Sequence, residues 1–399
     1  MPIEDEPIAD APTLLIVARG AESYGVMTKL LSIIGELSQR GWRITIRAIG
    51  EGDFLERARI IPGVEIVPDP TAPRRFFVNG GKLIGYIRLM ASSVAFVRGL
   101  RTFLKARRFS AAIFCEHGLV LPVAAAARGR GTPFFWLMPD VVSDAYPLDL
   151  NRRLYGAGFG WSGMIPVANS RYTRTTLGRA GKRAEQIDLG ADPARYADAA
   201  VEPDPLAGVI PAGAVRVAVV ARLEAEKGQR ALVEAIAGAP ELADVHLVIC
   251  GGPAGSAYEQ AIRDAAAAGG VAGRVHLMGP VAAPLGYYQS SDLVASVRSN
   301  VEPFGLSIVE AMLVGRPVLA HALGGPADIV VDGETGWLTQ AASPEALRAG
   351  LIRALAERPR WAAMGAAGQA RALERYTVAS MTDQLLAVFA RHGVKPGGS

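Results

Sequence analysis

Two carboxylates, Glu302 and Glu310, flank a Pro303-Phe304-Gly305 turn that runs into an apolar helical pattern beginning near Leu306. A carboxylate in a loop and a second on the first turns of the following helix can address two parts of one ligand. The backbone N–H groups of Phe304, Gly305 and Leu306 point outward from such a helix start and suit a negative group. Gly305 permits close backbone approach at that point. Upstream, an apolar run at 215–220 leads into ARLEAEKG, which sets Arg222 and Lys227 in the loop at a strand's carboxyl end. One guanidinium fork and one ammonium point charge together can neutralise a diphosphate. A phosphate-bearing, hydroxyl-rich ligand fits this set of donors and acceptors. Taken singly, each group has a plainer reading: acidic residues complement a helix start for ~0.3–1 kcal/mol, and lone basic residues are surface charges.

These groups need strand ends to hold them. Apolar runs at 13–18, 43–48, 64–67, 111–115, 132–137 and 165–168 alternate with helical or loop sequence, and the alternation restarts at 215–220, 245–250, 275–278, 293–297 and 317–320. Strands that alternate with helices predict doubly wound parallel sheets. Residues 201–214 carry Pro203, Pro205 and Pro211 with Gly208 and Gly213, a composition that resists helix and strand alike and reads as an interdomain linker. The expected organisation is a mobile leader at 1–12, a first domain at 13–200, a second at 215–375, a terminal helix at 376–393 packing back on the first domain, and a tail at 394–399. Ligand should bind in a cleft between the domains, outside the carboxyl ends of the strands.

The ordered set ARLEAEKG, Gly251-Gly252-Pro253, HLMGP, EPFGLSIVEAMLVGRPVLA and DGETGWL resembles the retaining nucleotide-sugar glycosyltransferases of family 4. That resemblance covers nearly all of the second domain and implies the GT-B fold, two Rossmann-like domains facing a central cleft. It further implies that Arg222 and Lys227 bind the donor diphosphate and stabilise it as leaving group, that Glu302 bonds hydroxyls of the transferred sugar, and that Glu310 holds the ribose. The amides of Phe304, Gly305 and Leu306 would complete the phosphate cradle, and Gly279 to Val281 would line the nucleobase pocket. Gly20 and Gly25 resemble the family's Gly-rich turn near the donor phosphates and acceptor, which would make Gly20 a donor-binding position; an ordinary strand-to-helix turn also explains the pair. Ser170 and Asp192 also match family positions and read as structural. One departure stands out: where the family ends a strand with His-Asp, this chain has Pro139-Asp140. Either Asp140, Asp144 or Glu116 then takes over, or the donor sugar is unusual, or turnover is slow. His117, after the preceding strand, is the candidate replacement imidazole, or else a satisfied strand-end histidine. Other GT-B chemistry, such as nucleotide-sugar epimerisation, and a non-catalytic nucleotide-sugar-binding homologue are the alternatives.

Composition narrows the class. With 399 residues, half of them hydrophobic and a fifth charged, the chain is a folded two-domain protein rather than a disordered one. The two cysteines, Cys115 and Cys250, each close an apolar run and read as reduced core thiols. Neither they nor the five histidines show zinc-ligand spacing, and there is no Asp-x-Asp at a strand end, so no metal and no cofactor is expected besides the nucleotide-sugar co-substrate. No stretch offers the ~20 apolar residues of a membrane span, and the acidic, Pro-rich start is unlike a secretory signal, so a cytoplasmic protein is expected. Residues 1–200 carry a net charge of +7 and residues 201–399 one of −3. Between 70 and 115 nine Lys and Arg stand without one acidic residue. Most of that segment reads as one long helix with Leu83, Ile87, Met90, Val94, Val97 and Leu104 on its core side and Arg98, Arg101, Lys105 and Arg108 on another face. The basic face, 74–108, is either a solvated helix end or a seat for an anionic acceptor or an anionic membrane at the inner face of the cell. Nucleic acid is not expected, because aromatic and basic residues are not interleaved.

Overall fold

The computed structural model describes residues 11–71, 83–142 and 149–395. The expected leader, except Ala11 and Pro12, and Arg74, Arg75, Lys82, Asp144 and residues 396–399 lie outside the described residues. The chain divides into two compact units, 1–188 with 378–399, and 189–377.

The first unit is built on β1 (Thr13–Ala18), β2 (Arg43–Ala48), β3 (Val64–Pro68), β4 (Ala111–Phe114), β5 (Phe134–Leu137), β6 (Ile165–Ala168) and β7 (Glu185–Gln186). All pair in parallel, in the order β3-β2-β1-β4-β5-β6-β7. Strands such as Leu14–Val17 and Ala111–Phe114 are fully covered, as parallel strands flanked by helices must be. The terminal helix Val378–Arg391 belongs to this unit, with Phe389 set 4.6 Å from Phe135 and 5.9 Å from Trp42 between ring centroids.

The second unit has β8 (Val215–Val220), β9 (Val245–Cys250), β10 (Val275–Gly279), β11 (Leu293–Ser296), β12 (Val318–His321) and β13 (Gly336–Thr339), again all parallel, in the order β10-β9-β8-β11-β12-β13. Its core runs from Val217, Leu247 and Ile249 to Leu232, Leu347, Trp337 and Met364. Cys115 and Cys250 are free and buried, and burial pushes their thiols up to about 11 and about 12.

Three expectations are corrected. The single basic helix is two, Leu83–Ser92 and Val94–Ala106. The hydroxyls of Ser92 and Ser93 both donate to the Leu89 carbonyl, at 2.9 and 2.7 Å, and this back-bonding competes with the helical ladder at the break. The core side also differs from the expected one: Phe96, Leu100 and Leu104 of the second helix are buried, whereas Ile87 of the first and Val94 of the second are 59% and 45% exposed. Arg108 lies past the helix end. The Pro- and Gly-rich segment 201–214 has no strand or α-helix but is no free connector, because Leu206 and Ile210 pack against Val248 and Cys250 and Arg216 bonds Asp204 at 2.8 Å. The unit boundary accordingly falls between Asp188 and Leu189 and not near residue 200. β7 (EQ) and β13 (GWLT) lie outside the expected strands, since the first has no apolar residue and the second only Trp337 and Leu338 between Gly336 and Thr339.

Candidate functional site

In the second unit the strand order reverses between β8 and β11, the point where an open parallel sheet leaves a crevice at its carboxyl edge. The loops after those two strands hold Arg222, Lys227 and Glu302, the residues expected to contact ligand. Gly228, at φ +76°, brings the β8 loop so close to β11 that an added Cβ would stand 2.1 Å from the Val297 carbonyl oxygen. The Ser299 amide donates to the Glu226 carbonyl at 2.8 Å, which fastens the two loops together.

Across this seam Lys227 Nζ lies 3.2 Å from Glu302 Oε2, with both side chains less than a fifth exposed. Arg298 joins them: its guanidinium is 2.6 Å from Glu226 and 3.6 Å from Glu302. The His321 ring nitrogen Nδ1 bonds the Arg298 carbonyl at 2.7 Å and Asn300 Nδ2 donates to Glu226 at 3.2 Å, so Arg298 is held at both backbone and head. The backbone of Glu302 is equally fixed, donating to Leu323 at 3.1 Å and accepting from Gly325 at 2.8 Å. Gly324 is needed for this approach: it sits at φ +106°, and a Cβ there would meet the Glu302 carbonyl oxygen at 2.1 Å.

Gly305, at φ +109°, precedes the helix Leu306–Leu313. The amides of Phe304, Gly305 and Leu306 donate to no acceptor among the described residues, while the Phe304 ring is buried 6.0 Å from Tyr376. Donors left open at a helix start suit a negative group.

Glu310 lies further along the same helix and forms a separate cluster. Tyr288 donates to its Oε2 at 2.8 Å, Tyr196 also bonds it, and burial holds the carboxyl above the usual carboxylate range despite both hydroxyls. Arg222 is not drawn into the Lys227–Glu302 network. Its side chain is 70% exposed and its guanidinium pairs with Glu224 at 2.5 Å, while its carbonyl is held by the buried Gln229 at 2.8 Å. The Gly279 carbonyl accepts from Gly251 at 2.8 Å at the end of β10, and Val281 packs on the small cluster of Leu206 and Cys250.

In the first unit the strand order reverses between β1 and β4. Gly20 follows β1 at φ +95°, where a Cβ would stand 2.9 Å from the Gly50 carbonyl oxygen; the turn itself requires glycine. Gly25 has no such constraint. Glu116, after β4, pairs with Arg19 at 3.0 Å, and Glu22 accepts from the Arg19 amide at 2.6 Å. Asp140 is exposed after β5 and accepts from the Val141 amide at 2.7 Å. Ser170 and Asp192 cap helices through the amides of Thr173 and Ala194.

His117 sits among aromatic rings, 5.1 Å from Trp136 and 6.4 Å from Tyr155, and burial pushes it down to about 4. It is therefore neutral at physiological pH. Because the unfolded imidazole protonates near 6.5, its contribution is intact above that pH and is lost as pH falls towards 4, on the order of 3 kcal/mol. Chemical denaturation of wild type and His117→Gln at pH 7.5 and 4.5 checks this. The variant should lose clearly less stability over that interval, and equal losses would refute the assignment.

Sequence reasoning missed Arg298, Tyr288, Tyr196 and His321. Arg298 carried a usable signal, a cation directly after an apolar run, which is the signal that identified Arg222. The others come from distant segments with no local pattern.

Residues 207–371 match the family described as Glycosyl transferases group 1. Over 171 residues the chain is 35% identical to the D-inositol 3-phosphate glycosyltransferase of Corynebacterium efficiens, an alignment covering 41% of this chain and 40% of that protein. The chain thus spans about two fifths of that curated relative's length. Among solved structures, it is similar to Anabaena Alr3699/HepE in complex with UDP, with TM-score 0.76 and 22% identity over 95% of this chain and 100% of the other. A glycosyltransferase from Rickettsia africae gives TM-score 0.80 at 16% identity over 96% and 98%. The α/β fold, with parallel sheets of seven and six strands, is the GT-B fold of those structures.

Proposed function

We propose, from the match of residues 207–371 to the group 1 glycosyltransferases, that the chain moves a hexosyl-type sugar from a nucleoside-diphosphate sugar to a hydroxyl acceptor, with retention of anomeric configuration. The observation that carries this reading is the half-buried Lys227–Glu302–Arg298 network beside three open amides at a helix start. Departure of the nucleoside diphosphate builds negative charge on the β-phosphate while the sugar gains oxocarbenium character. Lys227 and the amides of Phe304, Gly305 and Leu306 stabilise that charge without reorganising, and Arg222 closes on the diphosphate from the solvent side. Glu302 bonds the hydroxyls of the sugar. Fixed side-chain cations make the transfer metal-independent, with no cofactor beyond the donor. The UDP bound by the Anabaena protein favours a uridine donor.

Glu310 holds the ribose hydroxyls, with Gly279 and Val281 beside the base. Its role sets a pH dependence. A carboxylate accepts from ribose best when ionised, and Glu310 is held above the usual range, so nucleotide affinity should fall as pH drops through its raised pKa. Tyr288 bonds the ionised form and lowers that pKa. Tyr288→Phe should therefore move the fall in affinity to higher pH, measured by calorimetry from pH 5 to 8, while Glu310→Gln should abolish this component. An unmoved profile in Tyr288→Phe would remove Glu310 from the nucleotide site.

Of the first unit we assign Gly20 to the donor side and Glu116, His117 and Asp140 to the acceptor or sugar side. Arg88, Arg98, Arg101 and Lys105, together with exposed Ile87 and Val94, support an anionic or lipid-linked acceptor met at the inner face of the cell membrane, for polysaccharide, glycolipid or natural-product assembly. No helix of the described residues is long and apolar enough to cross a membrane.

The test is a thermal-shift panel of UDP, GDP, ADP and dTDP followed by donor turnover. A bound diphosphate at about 100 times Kd adds ~2.7 kcal/mol to the native state. Transfer or donor hydrolysis with the matching sugar nucleotide is the expected result. An epimer formed without acceptor, or binding with neither transfer nor hydrolysis, would overturn it.

A further inference from the structure

Parallel strands buried on both faces are usually apolar throughout, and β2 breaks that rule. Its sequence RITIRA puts Ile44, Ile46 and Ala48 on one face and Arg43, Thr45 and Arg47 on the other. Arg47 is accounted for: it pairs with buried Asp69 at 2.6 Å and lies 4.7 Å over the Phe103 ring. Thr45 donates to Glu65 of β3 at 3.4 Å, and Glu65 in turn takes Arg107 at 2.6 Å. The Arg43 side chain, which is exposed, has no such partner among the described residues.

Arg43 opens into a cavity of about 530 Å³ at the amino ends of β1, β2 and β3, lined also by Thr13, Thr45, Glu65, Arg107 and Arg108. That volume lies within the ordinary range for small-molecule sites. Three guanidiniums face one carboxylate, a local excess of +2. Arg107 is committed to Glu65, whereas the heads of Arg43 and Arg108 donate to no acceptor among the described residues. The backbone that presents them is fixed: Arg43 N–H donates to Pro12 at 2.9 Å, and Thr13 and Ser110 exchange backbone and hydroxyl bonds at 2.9 to 3.2 Å beside Arg108. This is the edge of the sheet opposite Gly20, Glu116 and Asp140, which follow the carboxyl ends of β1, β4 and β5.

We infer that this cavity is a second ligand site that binds a phosphate monoester, with Arg43 and Arg108 as two guanidinium forks. A dianion matches the local charge, and planar forks suit phosphate oxygens bidentately. The ligand is either a soluble phosphorylated small molecule or a phosphomonoester lipid headgroup, and both offer the same group to the same forks.

Amide hydrogen exchange on the full chain tests this with inorganic phosphate, and separately with phosphatidate-containing vesicles, against chloride at matched ionic strength and phosphatidylcholine vesicles. Slower exchange in peptides covering 11–18, 41–48 and 62–68 is the expected result. In Arg43→Gln/Arg108→Gln the half-saturating phosphate should rise tenfold or more, with ligand-free exchange unchanged. Arg43→Lys, which keeps charge but loses the fork, should fall between. Protection by phosphate alone identifies a soluble ligand, and protection by phosphatidate vesicles identifies a headgroup. Protection by neither, equal protection by chloride, or an unaltered response in the double variant would overturn the site.

Discussion

Replacing Lys227 by alanine is expected to lower kcat by roughly 10²–10³, the cost of removing one preorganised group that stabilises transition-state charge. The Lys227 side chain is only 18% exposed and sits on a loop clamped to the end of β11 through Gly228 and Ser299, so its position requires little rearrangement when charge develops on the departing phosphate. Partial burial makes that charge act in a medium less screening than water, which concentrates its value in the transition state. Donor KM should change by less than kcat. Arg222→Ala is the comparison. Its side chain is 70% exposed and its guanidinium already paired with Glu224, so solvent screens it and less than a tenfold loss in kcat is expected. Steady-state release of nucleoside diphosphate measures both. A Lys227→Ala kcat within threefold of wild type would take that residue out of the leaving-group role.

The contrast between Arg222 and Lys227 shows what a sequence can and cannot convey about such a site. Apolar runs mark strands because a doubly covered parallel strand is mostly apolar, so β1, β8 and β9 are readable residue for residue, and with them the loops at their carboxyl ends. Spacing within one loop says nothing about which side chain turns inward. Lys227 faces Glu302 because Gly228 permits a left-handed turn against Val297, and the resulting contact joins residues 75 positions apart in the chain. The Tyr288 and Tyr196 hydroxyls on Glu310 are of the same kind. The helix break at Ser93 was legible in principle, since serine hydroxyls compete for backbone carbonyls, but apolar periodicity carried across it and masked it. The polar face of β2 was visible as RITIRA, yet only the fold shows that Asp69 and Phe103 satisfy Arg47 and leave Arg43 open to a cavity.

Glu302→Gln should separate transfer from binding more sharply than any other single change. The substitution keeps volume and leaves the backbone pinned between Leu323 and Gly325, so geometry is preserved while one negative charge is removed. Two consequences of opposite sign follow. Lys227 and Arg298 lose the carboxylate they share, at 3.2 and 3.6 Å, and a freed cation pair attracts a diphosphate more strongly. Free nucleoside diphosphate should therefore bind as tightly as to wild type or up to about tenfold more tightly. The neutral amide is also a poorer acceptor for sugar hydroxyls and gives no electrostatic support to a positively charged sugar ring, so kcat should fall by roughly 10²–10³. Calorimetry with UDP, or whichever diphosphate the panel selects, and donor turnover on the same preparation give the two numbers. Binding weakened in proportion to kcat would mean that Glu302 serves only to order Lys227 and Arg298, and the sugar would then have to be sought elsewhere along the helix start. Tighter binding with lost turnover would locate the carboxylate on the sugar and the cations on the phosphate, which is the charge separation that breaking the glycosidic bond requires.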